Sequence, residues 1–398
     1  MRNVPSLVFP LLLVFHEIGS YLSNDMYLSA LPQLVSDLNI TQHEGQLTLT
    51  LWFLGAVALQ LLLGPLSDRY GRRVLLLSSG IVYVIALTIC AMTSNLLIFL
   101  FARFIQGITV SAVLVAGYAS IHERYDQAQA IRILALMGSI VIIAPAFGPL
   151  LGSLVLLFGT WRWIFWILVC WAILTTFLLS IWMPETNPPE NRHPINFKFL
   201  LKNYYAVITN WKFTGLSLTF CFTFAGFIAW LTAAPFLIVD RFGKTAMTFG
   251  IVQAIVFVFY VIANRFVKHL LEKIGPVKLV RLGLSITLVG GILSLIFAFV
   301  IPNSLSGLVI AMMIYSFGSG LSFPPLNRLA IEASPEPMGI RMAVSSTLMS
   351  GFGMLGALTV SIVYDSTIAS LAYILAITII FACLVRWSVY HILSSRAP

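Results

Sequence analysis

Charge is what this 398-residue chain has least of: Asp, Glu, Lys and Arg together make up 9% of it, against roughly 25% in a typical soluble domain. A soluble fold of this length must cover its surface with polar side chains. The deficit therefore excludes a water-soluble enzyme, a nucleic-acid-binding domain and a disordered chain. Cysteine is scarce too. Cys90, Cys170, Cys221 and Cys383 all fall inside apolar runs, with no Cys-x-x-Cys pair. That excludes a disulfide scaffold and a zinc ribbon and leaves them as small buried hydrophobes. No metal site is expected. His16-Glu17 opens like a zinc-protease helix, but Ser20 stands where the second histidine must be.

What remains is 59% apolar, with mean hydropathy +0.97. Spans of about 20 residues are needed to cross a bilayer. Twelve candidates fit, at about 6–31, 46–66, 74–93, 97–119, 129–156, 162–183, 213–237, 246–266, 277–300, 305–327, 341–363 and 369–391. They must be helices, because lipid cannot satisfy an exposed backbone and a barrel would show short alternating segments. Glu17 and Asp25 in the first run argue against a cleavable signal peptide. The expected fold class is thus an all-α membrane protein.

The net charge of +9 fits loops held in the cytoplasm. With the N-terminus inside, 19 of 23 basic residues fall on the inner side, from Arg2 to Arg396, and only Arg162, Arg241 and Lys244 outside. Both termini are expected inside, in a multi-pass protein whose partner is the lipid bilayer. The longest polar segment, 184–212, follows the sixth span. It divides the chain into two six-helix bundles, 1–183 and 213–398. Within it, Phe197 to Tyr205 has apolar and basic residues at helical spacing, which reads as a short interfacial helix. A weak repeat supports two parallel halves. Leu66-Ser67-Asp68-Arg69-Tyr70-Gly71 after the second span matches Leu270-Leu271-Glu272-Lys273-Ile274-Gly275 after the eighth, in pattern and in register.

The chemistry concentrates on the first span. Glu17 and Asp25 are eight residues apart, about 12 Å along a helix axis, with Tyr21 between them. An ionised carboxylate facing lipid costs several kcal/mol. Two on one stripe must face a cavity or bind protons, and a carboxyl removed from water favours its neutral form. The plainer reading is that one sits in water near the outer end, or pairs with Arg103 in the fourth span. No other acid lies well inside a span.

Three longer motifs carry a family resemblance. They are Gly64-Pro65-Leu66-Ser67-Asp68-Arg69-Tyr70-Gly71-Arg72-Arg73 after the second span, Arg103-Phe104-Ile105-Gln106-Gly107 on the fourth, and Ala144-Pro145-Ala146-Phe147-Gly148-Pro149-Leu150-Leu151-Gly152 on the fifth. They resemble the loop, fourth-span and antiporter signatures of the major facilitator superfamily. With Glu17-Ile18-Gly19-Ser20-Tyr21-Leu22-Ser23-Asn24-Asp25-Met26 on the first span, the chain is similar to its twelve-span drug:proton antiporters. The match is thinner in the second half, around Gln253, Asn264 and Tyr315.

The resemblance implies two pseudo-symmetric bundles around a central cavity in a bacterial inner membrane. It implies export of lipophilic or cationic compounds by a monomer without cofactor, with protons as the coupling ion. Glu17 and Asp25 then couple proton and substrate, and Tyr21, Asn24, Arg103, Met137 and Gln253 line the substrate cavity. Asp68, with Gly64, Arg69, Gly71 and Arg72, forms the inner gate, and Glu123 is the partner of Arg72. Positive-inside anchoring alone explains the arginines but not Asp68 or Gly71. Arg103 reads equally as a clamp on the first span, and packing is the alternative for Met137. Pro145, Gly148, Pro149 and Gly152 give a kinked, closely packed fifth helix suited to exchange. The same signatures fit an exporter or importer of one polar metabolite, such as a siderophore, because they encode the gate and not the ligand. No nucleophile–base pair stands in the spans, so an enzyme is not expected, and neither is a nucleic-acid partner.

Overall fold

The computed structural model describes residues 7–192 and 197–395; Arg2, Arg396 and residues 193–196 of the linker lie outside the described residues. Among the described residues all regular structure is helical. The first stretch is α1 (Val8–Asp25), a 3₁₀ turn (Met26–Ala30) and α2 (Leu31–Leu38). It is followed by α3 (Gln42–Tyr70), α4 (Arg72–Met92), α5 (Leu96–Ala112), a π turn (Val113–Gly117) and α6 (Tyr118–Arg124). Then come α7 (Gln127–Val155), α8 (Trp161–Trp182) and α9 (Phe197–Thr209). The last group is α10 (Trp211–Phe236) with a π turn (Leu237–Arg241), α11 (Ala246–Val300), α12 (Leu305–Glu332), α13 (Met338–Val363) and α14 (Ile368–Ser395).

Each expected span falls on one of these helices or on a broken pair. Helix α11 covers two spans, because Gly275 takes φ 75 and ψ 166 and interrupts it. The helices overrun the expected spans because the apolar window marks only the hydrocarbon layer, whereas a helix continues into the polar layers. Helix starts follow from short polar side chains. Asn95 accepts a hydrogen bond from the Ile98 N–H at 3.1 Å, and Asp126 accepts one from Gln129 at 2.9 Å. Ser304 does the same for Gly307 at 3.2 Å. Each answers a backbone donor that the first turn of a helix leaves unpaired.

The chain groups into two units, Met1–Ile40 with Leu51–Asn196, and Thr41–Thr50 with Phe197–Pro398. The first has a core of Phe9, Leu13, Val113, Met137, Leu179 and Met183 among others. The second includes a cluster of Ala263, Leu279 and Leu321. Large apolar side chains such as Leu97, Phe101, Ile173 and Phe177 point outward, as lipid rather than water as solvent requires. Helix α9 buries Asn203 and Val207 and exposes Phe197, Leu201, Tyr205 and Ile208. Positions four, eight and eleven residues apart share one helical face, so α9 carries an apolar stripe.

Candidate functional site

The first span's polar residues are buried, and they fall into two neighbourhoods. Glu17 is 1% exposed. Its Oε1 accepts a hydrogen bond from the Tyr118 hydroxyl at 3.1 Å, and its Oε2 has no partner among the described residues. Tyr118 opens α6 directly after the π turn. An extra residue in a helical turn rotates the next stretch of helix about its axis, a device that recurs at functional sites. Sequence reasoning missed Tyr118. The available signal was a phenol deep in an apolar run, which needs a polar partner.

One helical turn past Tyr21, which is half-buried, lies the second neighbourhood. Asp25 is 2% exposed and ends α1 where the 3₁₀ turn begins. The Asn24 amide donates to Asp25 Oδ1 at 3.4 Å, while Asn24 Oδ1 accepts from Arg103 Nη2 at 3.0 Å. Arg103 is fully buried. Its Nη1 donates to the Ser23 carbonyl at 3.2 Å and to Gln106 Oε1 at 2.7 Å, and its guanidinium lies 4.1 Å from the centre of the Tyr27 ring. Arg103 thus reaches Asp25 through Asn24. Its bond to the Ser23 carbonyl ties it to the backbone of the first span.

The fifth-span motif meets the same place. A Cβ on Gly148 would overlap Asp25, and one on Gly152 would overlap the Met26 carbonyl and the Ser29 hydroxyl. Glycine at these two positions is what lets α7 lie against the end of α1. Met137 is fully buried in the apolar core with Leu13 and Leu179. His16 faces away from Glu17 and bonds the Thr175 hydroxyl at 3.0 Å through Nδ1.

The loop after α3 forms a second centre. Gly71 takes φ 102, a conformation that only glycine adopts readily. Arg72 reaches Asp68 at 2.5 Å and Glu123 at 2.9 Å, so these three groups form one charged cluster. Gly64 lies near Val115, and the Arg69 guanidinium stands 5.3 Å from the ring of Tyr70. Around Gly71 wraps the segment after α8, another feature that sequence reasoning passed over as linker. Glu185 Oε1 accepts from the Arg72 N–H at 2.9 Å and from the Asn187 N–H at 3.0 Å. Asn187 donates to the Asp68 carbonyl at 2.7 Å, Thr186 donates to Glu123 at 2.6 Å, and Arg192 pairs with Glu185 at 3.5 Å. Glu185 therefore caps the N-terminus of α4, where a carboxylate is favoured by the unpaired N–H groups and the helix dipole. In the second unit Gln253 is fully buried, and its Oε1 accepts from the Trp230 indole at 2.7 Å. Among the described residues no group of three His, Cys, Asp or Glu is placed to hold a metal ion.

The model of the Major Facilitator Superfamily matches residues 13–357 and, in a second match, 216–396. The chain belongs to that superfamily. Its relatives include the chloramphenicol resistance protein CraA of Acinetobacter baumannii, 31% identical over 355 residues, covering 88% of this chain and 84% of CraA. The multidrug resistance protein MdtM of Escherichia coli K12 is 31% identical over 347 residues, covering 85% and 82%. The multidrug transporter MdfA of Yersinia pestis is 28% identical over 372 residues, covering 93% and 88%. The fold agrees. A D-xylose-proton symporter superposes with a TM-score of 0.74 at 17% identity, covering 96% of each chain. The human organic anion transporter MFSD10 gives 0.70 at 18% identity, covering 97% of this chain and 100% of its own. As a superfamily member this chain is a multi-pass secondary transporter with the major facilitator fold, and among the described residues nine helices are long and apolar enough to cross a membrane.

Proposed function

We propose that this protein is a proton-coupled antiporter that exports lipophilic, often cationic compounds. It acts as a monomer in a bacterial inner membrane, with both termini and the linker helix α9 on the cytoplasmic side. The observation that carries this reading is the state of the first span. Two carboxylates are buried on α1 while the one guanidinium beside them is held by neutral acceptors, Ser23, Asn24 and Gln106. Among the described residues neither acid is locked in an ion pair, so each is available to a proton or to a cationic substrate, one at a time. The names of the relatives, drawn from multidrug transport and chloramphenicol resistance, support the substrate class.

The chemistry follows from exchange. A protonated carboxyl is neutral and has no hold on a cation; a cation arriving beside it favours loss of the proton. Inward proton movement is favoured by about 2.3 kcal/mol per 100 mV and by about 1.4 kcal/mol per pH unit. One proton exchanged for one monovalent cation moves no net charge, so only the pH difference drives that export. A neutral compound exported against one proton draws on both terms. Asp68, Arg72 and Glu123 act as the cytoplasmic gate, with Gly71 setting the turn between them. Tyr118 positions Glu17.

Purified protein in weakly buffered detergent tests this. Adding tetraphenylphosphonium should release protons into solution, and the Glu17→Gln, Asp25→Asn double variant should release none. Absence of release from the parent protein would remove the coupling assignment.

A further inference from the structure

The second unit buries an amide whose orientation is settled by its neighbour. The Trp230 indole nitrogen is a donor only. At 2.7 Å from the Gln253 side chain it must meet the carbonyl oxygen, Oε1. The Gln253 amino group is therefore the group left over. Among the described residues it has no hydrogen-bond partner, and the side chain is fully buried. A buried donor without a partner is costly, and the cost is recovered when an acceptor arrives. An acid here would call for a cation; an amino group fixed in this way calls for a carbonyl, nitro or ether oxygen.

The rungs beside this pair are aromatic. Phe227, one turn before Trp230, meets Phe257, one turn after Gln253, with ring centres 4.9 Å apart and nearly perpendicular. The series continues through Tyr260, 6.2 Å from Phe257, to Phe323, 6.0 Å from Tyr260. Phe227, Phe257 and Phe323 are 5%, 6% and 9% exposed, and Tyr260 between Phe257 and Phe323 is the half-buried member of the ribbon. Ring edges and faces of this kind take a planar aromatic group by offset stacking or edge contact.

We infer that Trp230 and Gln253 form a donor subsite in the second unit that selects aromatic compounds bearing a neutral hydrogen-bond acceptor. This rests on the multidrug export reading and adds to it a division of labour: carboxylates in the first unit read positive charge, and this amide reads neutral oxygen. Trp230 acts by fixing the amide, and Gln253 touches the ligand.

Two probes separate these chemistries. Chloramphenicol is neutral and aromatic and carries nitro and carbonyl oxygens; tetraphenylphosphonium is cationic and aromatic and has no hydrogen-bonding group. Binding of each to purified parent, Gln253→Met and Trp230→Phe protein is measured by equilibrium dialysis, and proton-driven uptake into inverted vesicles is measured alongside. The ratio of chloramphenicol to tetraphenylphosphonium affinity should fall on the order of fivefold in Gln253→Met, and by less in Trp230→Phe, where the amide remains but is no longer oriented. Trp230→Phe keeps most of the ring volume and carries the test should the methionine variant not fold. An unchanged ratio, or an equal loss for both probes, overturns the subsite. Parent protein that binds both probes but moves neither with the proton gradient contradicts the export reading instead and leaves the binding ratio to decide the subsite.

Discussion

The loops at Gly71 and Gly275 share a backbone and differ in nearly everything around it. Both glycines take positive φ, 102 and 75, and both precede a helix that starts on the next residue. Around Gly71 the space is filled: an added Cβ would overlap Glu185 and Arg192. Around Gly275, among the described residues, no atom beyond its own local backbone and chain neighbours lies within 4 Å of where that Cβ would sit. Residue 72 is an arginine whose N–H is capped by Glu185 and whose side chain joins Asp68 to Glu123. Residue 276 is a proline, which has no N–H to cap. The turn is repeated and the charge network is not. The same asymmetry holds inside the spans, where both buried acids, Glu17 and Asp25, belong to the first unit. The two loops share a glycine turn, and among the described residues the charged cluster stands at the first of them.

The comparison is broken most forcefully at the acids of the two loops. Asp68→Asn should lower proton-driven uptake into inverted vesicles by roughly tenfold, the loss of one charge-assisted bond, while Glu272→Gln should leave it near the parental rate. Equal effects would mean that the two loops do the same work. A smaller difference is expected at the glycines. Gly275→Ala carries only the strain of its backbone conformation, about 1–3 kcal/mol. Gly71→Ala carries that strain and also displaces Glu185, so its thermal midpoint in detergent should fall further than that of Gly275→Ala. Identical midpoints would show that the clamp around Gly71 does not bear on stability. The smallest effect belongs to Glu185→Gln. It keeps the shape and removes the charge at the start of α4, a loss of about 0.5–1 kcal/mol, read as faster amide exchange in the first turn of α4 and unchanged exchange after Gly275.

Much of the fold was legible because lipid removes alternatives. A run of about 20 apolar residues in a bilayer has one backbone solution, so composition alone yields the spans. The first-span stripe was legible for a related reason: an acid in such a run is conspicuous, and Glu17 and Asp25 are indeed both buried. Tyr118 and Glu185 were not legible. Each acts through a residue 101 or 113 positions away in sequence, and neither is unusual where it stands: a tyrosine in an aromatic-rich chain and a glutamate in a polar loop. The orientation of Gln253 was beyond reach as well, since it depends on which atom of a tryptophan 23 residues distant lies opposite. Local chemistry shows in the sequence, whereas partners chosen by helix packing do not.

Coupling of substrate to protons by the two buried acids of α1 is the central claim. The most direct measurement is tetraphenylphosphonium accumulation by proteoliposomes carrying parent or Glu17→Gln, Asp25→Asn protein, with the pH gradient and the membrane potential imposed separately. Relative to protein-free liposomes, which take up this permeant cation with the potential alone, the parent should accumulate extra cation with the pH gradient and gain little further from the potential, as one-for-one exchange requires, and the double variant should show no excess. Accumulation by the double variant equal to that of the parent would contradict the claim and move the coupling site off the first span.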